Sequence, residues 1–198
     1  YYDHIMKILI TSFEPFAGRR TNLSQQAMER LKKRRYNKEW HNLGVTFALL
    51  PVAFTAVQKK LNKLITPAYD LIIMAGEHRK ARKVLVERVA LNVAHATIKD
   101  NKGERAHLAS VVGNEPLALM TSIDTEALVS RMRRDGIPAR TNHHAGTFVC
   151  NASFYGALLK QNKTVFLHLP GRLPQDKKGR CHLERLADCL ELVCLTSM

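Results

Sequence analysis

Short, continuously apolar runs alternate along this chain with segments whose apolar residues recur at helical spacing. Lys7 to Phe13 (KILITSF) reads as a first strand, and Asn22 as the cap of a helix reaching about Lys33, in which Ala27, Met28 and Leu31 share a face. Val45 to Val52 predicts a second strand, followed by a helix through Leu64 with Val57, Leu61 and Leu64 in register. Asp70 to Ala75 (DLIIMA) is apolar nearly throughout, the pattern of a strand covered on both faces inside a parallel sheet. Glu87 to Ala96 alternates loosely and reads as further strand. Thr125 to Arg134 predicts a helix, stopped by Asp135-Gly136-Ile137-Pro138. Ala139 to His143 and Thr164 to Leu169 (TVFLHL) read as strands, and a last helix places Leu183, Leu186, Leu190 and Val193 on one face. No internal repeat, low-complexity tract or linker interrupts this alternation. The expectation is an α/β fold, a three-layer α/β/α single domain with a mostly parallel central sheet.

Length agrees with one unit: 198 residues suffice for a sizeable α/β core and are short for two. That domain is expected over residues 6–198, with Tyr1-Tyr2-Asp3-His4-Ile5 read as a cloning remnant ahead of Met6-Lys7. No apolar run is long enough to span a membrane and no signal-peptide core opens the chain, so no membrane partner is expected. Of the four cysteines, Cys181, Cys189 and Cys194 fit no common zinc spacing and are expected on the packed side of the last helix. No metal site is expected, and unpaired thiols suit a reducing cytoplasm.

The formal charge of +14 raises the question of a polyanionic partner. Its sources are short clusters: Lys32-Lys33-Arg34-Arg35, Lys59-Lys60, His78-Arg79-Lys80, Arg131 to Arg134, and Lys177-Lys178-Gly179-Arg180. Most fall at helix ends or in loops, where cations suit the helix C-terminus. No recognition helix, RNP or zinc-finger pattern accompanies them. A solvated surface is expected, and nucleic acid is not expected as a partner.

Chemistry concentrates in Ala145-Gly146-Thr147-Phe148-Val149-Cys150-Asn151-Ala152-Ser153-Phe154-Tyr155-Gly156. Cys150 stands between a β-like run, Thr147 to Val149, and a helix-like run from Asn151 to Lys160. A thiol at a helix N-terminus meets unpaired N–H groups and the positive dipole end, both of which favour thiolate. A thiolate nucleophile needs an imidazole beside it and a third group to orient that imidazole. His168, at the end of the run Phe166 to Leu169, supplies the imidazole if it emerges on the same sheet edge as Cys150. The strand before Cys150 and the strand of His168 are expected to run parallel, which brings both residues out on one edge. Glu87 is either a surface carboxylate paired with Arg88 or a buried acceptor for the second imidazole N–H.

In the order they occur, several segments resemble the pyroglutamyl peptidase I (pyrrolidone-carboxylate peptidase) family of cysteine peptidases. They are Thr11-Ser12-Phe13-Glu14-Pro15-Phe16-Ala17-Gly18, where the family usually has Gly in place of Ser12 and Ala17, then Leu50-Pro51-Val52 and Glu87-Arg88-Val89-Ala90 with Asn92. Gly136-Ile137-Pro138-Ala139, the cysteine block, Phe154-Tyr155-Gly156 and His168-Leu169-Pro170 follow. The resemblance implies a cytoplasmic, cofactor-free peptidase that removes N-terminal pyroglutamate from peptides, in a family that often forms dimers or tetramers. Matched residue by residue, it implies Cys150 as nucleophile, His168 as general base and then acid, and Glu87 as the group orienting His168. It further implies a lactam pocket in which Phe13 and Phe16 sandwich the ring and Phe148 and Val149 complete an apolar wall. Asn22 matches a family Asn near the ring, and also serves as a helix cap. Pyroglutamate carries no charged amine, so an apolar pocket suits it.

Departures cluster after the third strand. The family usually reads Gly-Gln-Ala-Gly-Gly-Arg where this chain has Ile73-Met74-Ala75-Gly76-Glu77-His78-Arg79, and the stretch to Glu87 is longer. Met74 thus stands where a Gln would help hold the lactam or the oxyanion, and a thioether cannot donate that hydrogen bond. Thr97 replaces a usual Arg. His78, Arg79 and Arg82 in the longer loop are the available substitutes, and the connection between Cys150 and His168 is trimmed. Two other readings stay open at this level: a divergent cysteine hydrolase of another blocked or cyclic amide, and a basic binding protein of weak or no activity on this scaffold.

Overall fold

The computed structural model describes residues 5–34, 43–173 and 181–196. Arg35 and the cluster Lys177-Lys178-Gly179-Arg180 lie outside the described residues. The elements follow as β1 (Met6–Phe13), α1 (Leu23–Arg34), β2 (Leu43–Leu50), α2 (Phe54–Leu64), β3 (Leu71–His78), β4 (Val84–Leu91), β5 (Ala118–Met120), α3 (Thr125–Arg134), β6 (Ala139–His144), α4 (Val149–Leu158), β7 (Thr164–Pro170) and α5 (His182–Thr196). They build a seven-stranded sheet in the order β2-β1-β3-β7-β4-β5, with β6 also paired to β4. The pairs β1–β2, β1–β3, β3–β7 and β4–β6 are parallel, whereas β4 runs antiparallel to both β7 and β5.

Alternation within each strand divides the core in two. Ile8 and Ile10, Ile73 and Ala75, Val84 and Val86, and Val165, Leu167 and Leu169 face α1, α3 and α5. Leu9, Ile72, Met74 and Phe166 face α2 and α4. The central strands read as unbroken apolar runs because both faces are covered. Local chemistry sets the helix limits: the Asn22 side chain accepts from the N–H of Ser24 at 2.9 Å, and Asp124 caps α3 through the N–H groups of Glu126 and Ala127. Gly136, at φ +76°, ends α3 in the left-handed region.

Four expectations need correction. Val149 already belongs to α4, so Thr147 to Val149 is not a strand, and Cys150 lies in the first helical turn. β6 pairs parallel with β4 while β7 pairs antiparallel with it, so the strand before Cys150 runs opposite to that of His168. Cys181 is exposed ahead of α5, and only Cys189 and Cys194 are buried on its packed face. The fourth strand also starts at Val84, ahead of the expected Glu87.

Candidate active site

The same alternation delivers the site. On β7, His168 shares the face of Phe166; on β4, Glu87 shares the face of Leu85; on β3, Gly76 shares that of Met74. All three therefore face the α4 layer. Because β4 and β7 are antiparallel, with Glu87 opposite Phe166 and Leu85 opposite His168, Glu87 and His168 are diagonal neighbours, within reach of long side chains. The carboxylate Oε1 of Glu87 accepts from His168 Nδ1 at 2.7 Å, which leaves Nε2 for the thiol. Glu87 is fully buried, so the surface ion pair with Arg88 is excluded.

Cys150 reaches the imidazole from above. Its Sγ lies over Gly76, where an added Cβ would stand 3.1 Å from the sulfur and 2.9 Å from the Phe166 ring. Asn151 pins this end of α4: its amide donates to the carbonyls of Leu91 and Val93 and accepts from the Leu91 N–H at 2.8 Å. Thr147 completes the fastening through paired backbone and hydroxyl bonds to His95. The antiparallel β6–β7 relation thus does not separate the groups, since α4 folds back across the face instead of leaving the sheet edge. Burial alone pushes the His168 imidazole down, but hydrogen bonds to Cys150 and Glu87, and the negative charge of both, outweigh it and raise the pKa to about 9. The arrangement holds an imidazolium beside a sulfur nucleophile.

Asn142 is a site residue that sequence reasoning missed. Its amide donates to Glu87 Oε2 at 2.8 Å and to the His144 carbonyl at 3.0 Å, fixing the carboxylate that orients His168. Asn142 pairs with Glu87 across the parallel β4–β6 ladder, so both point to one face. The only sequence signal was a polar residue alternating with Thr141 and His143 in a short strand.

Two clefts meet at this cluster. The smaller, about 290 Å³, is lined by Phe13, Phe16, Asn22, Val52, Phe148, Val149 and Cys150 and closed by Glu77 and Arg79. The Phe16 and Phe148 rings lie 5.1 Å apart, and Phe13 is buried at the back. Five expected pocket residues therefore come together: Phe13, Phe16, Asn22, Phe148 and Val149. Met74 does not join them; it is fully buried in the apolar cluster under the sheet and lines neither cleft. Thr97 is exposed and also lines neither. Glu77 is already engaged, by Arg19, by Arg79 and by the Leu23 N–H at the start of α1. The second cleft, about 680 Å³, starts at His168 and Glu87 and opens between the β3–β4 turn and β6. No three His, Cys, Asp or Glu side chains among the described residues form a metal-holding group, and no described helix is long and apolar enough to cross a membrane.

The model of the family described as pyroglutamyl peptidase matches residues 6–179 of this chain. A pyrrolidone-carboxylate peptidase of Erwinia tasmaniensis is 37% identical over 169 residues, covering 83% of this chain and 78% of that one. One from Thermococcus onnurineus is 33% identical, covering 98% and 99% respectively. Among solved structures, pyroglutamyl peptidase I of Bacillus amyloliquefaciens superposes with a TM-score of 0.83 at 27% identity over 96% of each chain. The pyrrolidone carboxyl peptidase of Thermus thermophilus does so at 0.82 and 28% identity, over 95% of this chain and 98% of that one.

Proposed function

The chain belongs to the pyroglutamyl peptidase family, and from that premise we propose that it removes N-terminal pyroglutamate from peptides by acyl transfer through Cys150. The observation that carries this reading is the convergence of Cys150, His168 and Glu87 at the mouth of a small apolar cleft. A cleft of about 290 Å³ accepts one residue, not an extended chain. Its single carboxylate, Glu77, is neutralised by Arg19 and Arg79, so nothing there awaits a free ammonium group. An uncharged lactam fits such a wall of Phe13, Phe16, Phe148 and Val149.

In the proposed sequence, Cys150 Sγ attacks the pyroglutamyl carbonyl carbon. The first N–H groups of α4 precede its first helical bond, from Ala152 N to the Phe148 carbonyl, and so are free to stabilise the oxyanion. His168, protonated and held by Glu87, then gives its Nε2 proton to the leaving amine, and the C–N bond breaks to leave a thioester. His168 next takes a proton from water, whose oxygen attacks the thioester and releases pyroglutamate and the thiol. Asn142 keeps Glu87 in place throughout. All four cysteines are free thiols, which suits placing this chemistry in the cytoplasm.

A panel of reporter amides bearing pyroglutamyl, acetyl or formyl groups, all neutral, or the cationic prolyl group tests the substrate class. Pyroglutamyl is expected to exceed every other by at least about a hundredfold in kcat/KM, since the lactam polar groups and apolar wall must both be matched. Faster turnover of another blocked or cyclic amide rejects the reading in favour of a divergent hydrolase.

A further inference from the structure

The cleft on the far side of His168 has a charge that the pyroglutamyl reading does not use. It begins where the leaving amine must sit, since His168 lines it and Cys150 lines the other. The residues following pyroglutamate therefore extend into it. Four cations surround that path: Lys80, Arg82 and Lys83 from the β3–β4 turn and Arg140 from β6. Arg140 stands opposite Leu85, which stands opposite His168, so the three share a row across the sheet and the same face. Two strand spacings put Arg140 about 10 Å from His168, the reach of the first residue after the scissile bond and its side chain.

Among the described residues, nothing in the cleft neutralises these cations. The only carboxylate among its described lining residues is Glu87, fully buried and committed to His168 and Asn142. The nearby Glu77 closes the apolar cleft instead and is held by Arg19 and Arg79. Among the described residues, none of Lys80, Arg82, Lys83 and Arg140 forms an ion pair with a carboxylate. A wall of like charge is a standing bias against cationic leaving groups and towards anionic ones.

We propose that this cleft selects peptides with an acidic residue immediately after pyroglutamate, its side-chain carboxylate being received by Lys80, Arg82, Lys83 and Arg140. The inference rests on the pyroglutamyl reading and deepens it by naming the class of leaving peptide. It also gives the turn between β3 and β4, longer here than in the family pattern, a role in specificity rather than in catalysis.

The test compares kcat/KM for the C-terminally amidated peptides pGlu-Glu-Ala, pGlu-Gln-Ala and pGlu-Lys-Ala, so that only the side chain differs in charge. At low ionic strength the Glu peptide is expected to exceed the Lys peptide by about 30-fold, with Gln between them. That figure sums an attraction gained and a repulsion avoided at partly exposed sites. Near 0.5 M salt the ratio should shrink to about threefold, because the Debye length falls below the separations involved. The double variant Arg82→Glu/Lys83→Glu, at exposed turn positions, should bring the Glu to Lys ratio to one or invert it. The ratio is read within each protein, so a general loss of activity cancels. Equal kcat/KM for the three peptides at low salt overturns the proposal, as does an unchanged ratio in the double variant. Turnover of none of them by folded, reduced enzyme removes the pyroglutamyl premise and the proposal with it.

Discussion

Gly76 carries a prediction whose size follows from the structure. A methyl group there would stand 2.9 Å from one carbon of the Phe166 ring, 3.1 Å from another and 3.1 Å from Cys150 Sγ, where ordinary contact begins at 3.4 Å. Phe166 cannot retreat, because it is fully buried between Phe13 and Phe154, with ring centroids 6.2 and 5.6 Å away. The sulfur, on a partly buried side chain, must give instead, by some tenths of an ångström, and so leaves its place beside His168. A misplacement of about 1 Å costs about 100-fold in rate, so some tenths of an ångström cost about 3- to 10-fold. Overpacking the core costs a further 1–3 kcal/mol of stability, or about 2–12 °C in Tm for a chain of this size. Gly76→Ala is therefore expected to lower kcat about 3- to 10-fold on a pyroglutamyl fluorophore. KM should hold within about threefold, since Gly76 does not line the lactam cleft. Steady-state kinetics and a thermal melt read both effects. Full kcat with an unchanged Tm would show that the sulfur does not rest on Gly76 and would refute the placement of Cys150.

Asn142→Ala leaves Glu87 with one fixed bond fewer, and should lower kcat about tenfold or more while KM stays near the native value; Asn142→Asp should shift the pH profile as well, by setting a second carboxylate against Glu87. His168 titrates at about 9 when folded against an ordinary 6.5. A raised pKa stabilises the fold fully below about pH 6.5, and that contribution is lost as pH rises through 9, an upper bound of about 3 kcal/mol. Urea unfolding at pH 6.5 and 9.5 should show this loss in the native protein and a smaller one in Glu87→Gln, whose imidazole lacks one anionic partner. Burial pushes the thiols of Cys189 and Cys194 up to about 12, so iodoacetamide at neutral pH should label Cys150 and the exposed Cys181 alone in the folded protein, as peptide mapping will show. Ala17 sits at φ +56°, and Ala17→Gly should raise stability by about 0.5 kcal/mol, the relief of left-handed strain less the entropy that glycine adds to the unfolded chain.

Much of the site was legible because its signals are local. A thiol at a helix start and an imidazole at a strand end are each set by their immediate neighbours. What escaped depends on pairing between distant strands. The opposite directions of β6 and β7 follow from where β4 inserts, which no local pattern records. Asn142 matters only because the register sets it opposite Glu87, and whether Glu87 was buried or exposed turned on the same register. Met74 was expected at the lactam by position in a motif, yet strand alternation beneath α2 and α4 seals its side chain in the core. Val149 read as strand because a β-branched residue at the first helical position carries no mark of helix. Cys181 read as helical and packed because α5 begins one residue after it.

The central claim is that Cys150, oriented through His168 and Glu87, carries the pyroglutamyl group as a thioester. Rapid acid quench during turnover of a pyroglutamyl substrate, followed by peptide mapping, tests it most directly. The native enzyme should show a pyroglutamyl adduct on the peptide containing Cys150, Cys150→Ser should show no such thioester and no turnover beyond trace, and His168→Ala should form the adduct far more slowly. Undiminished turnover by Cys150→Ser, or an adduct mapped to Cys181, contradicts the account.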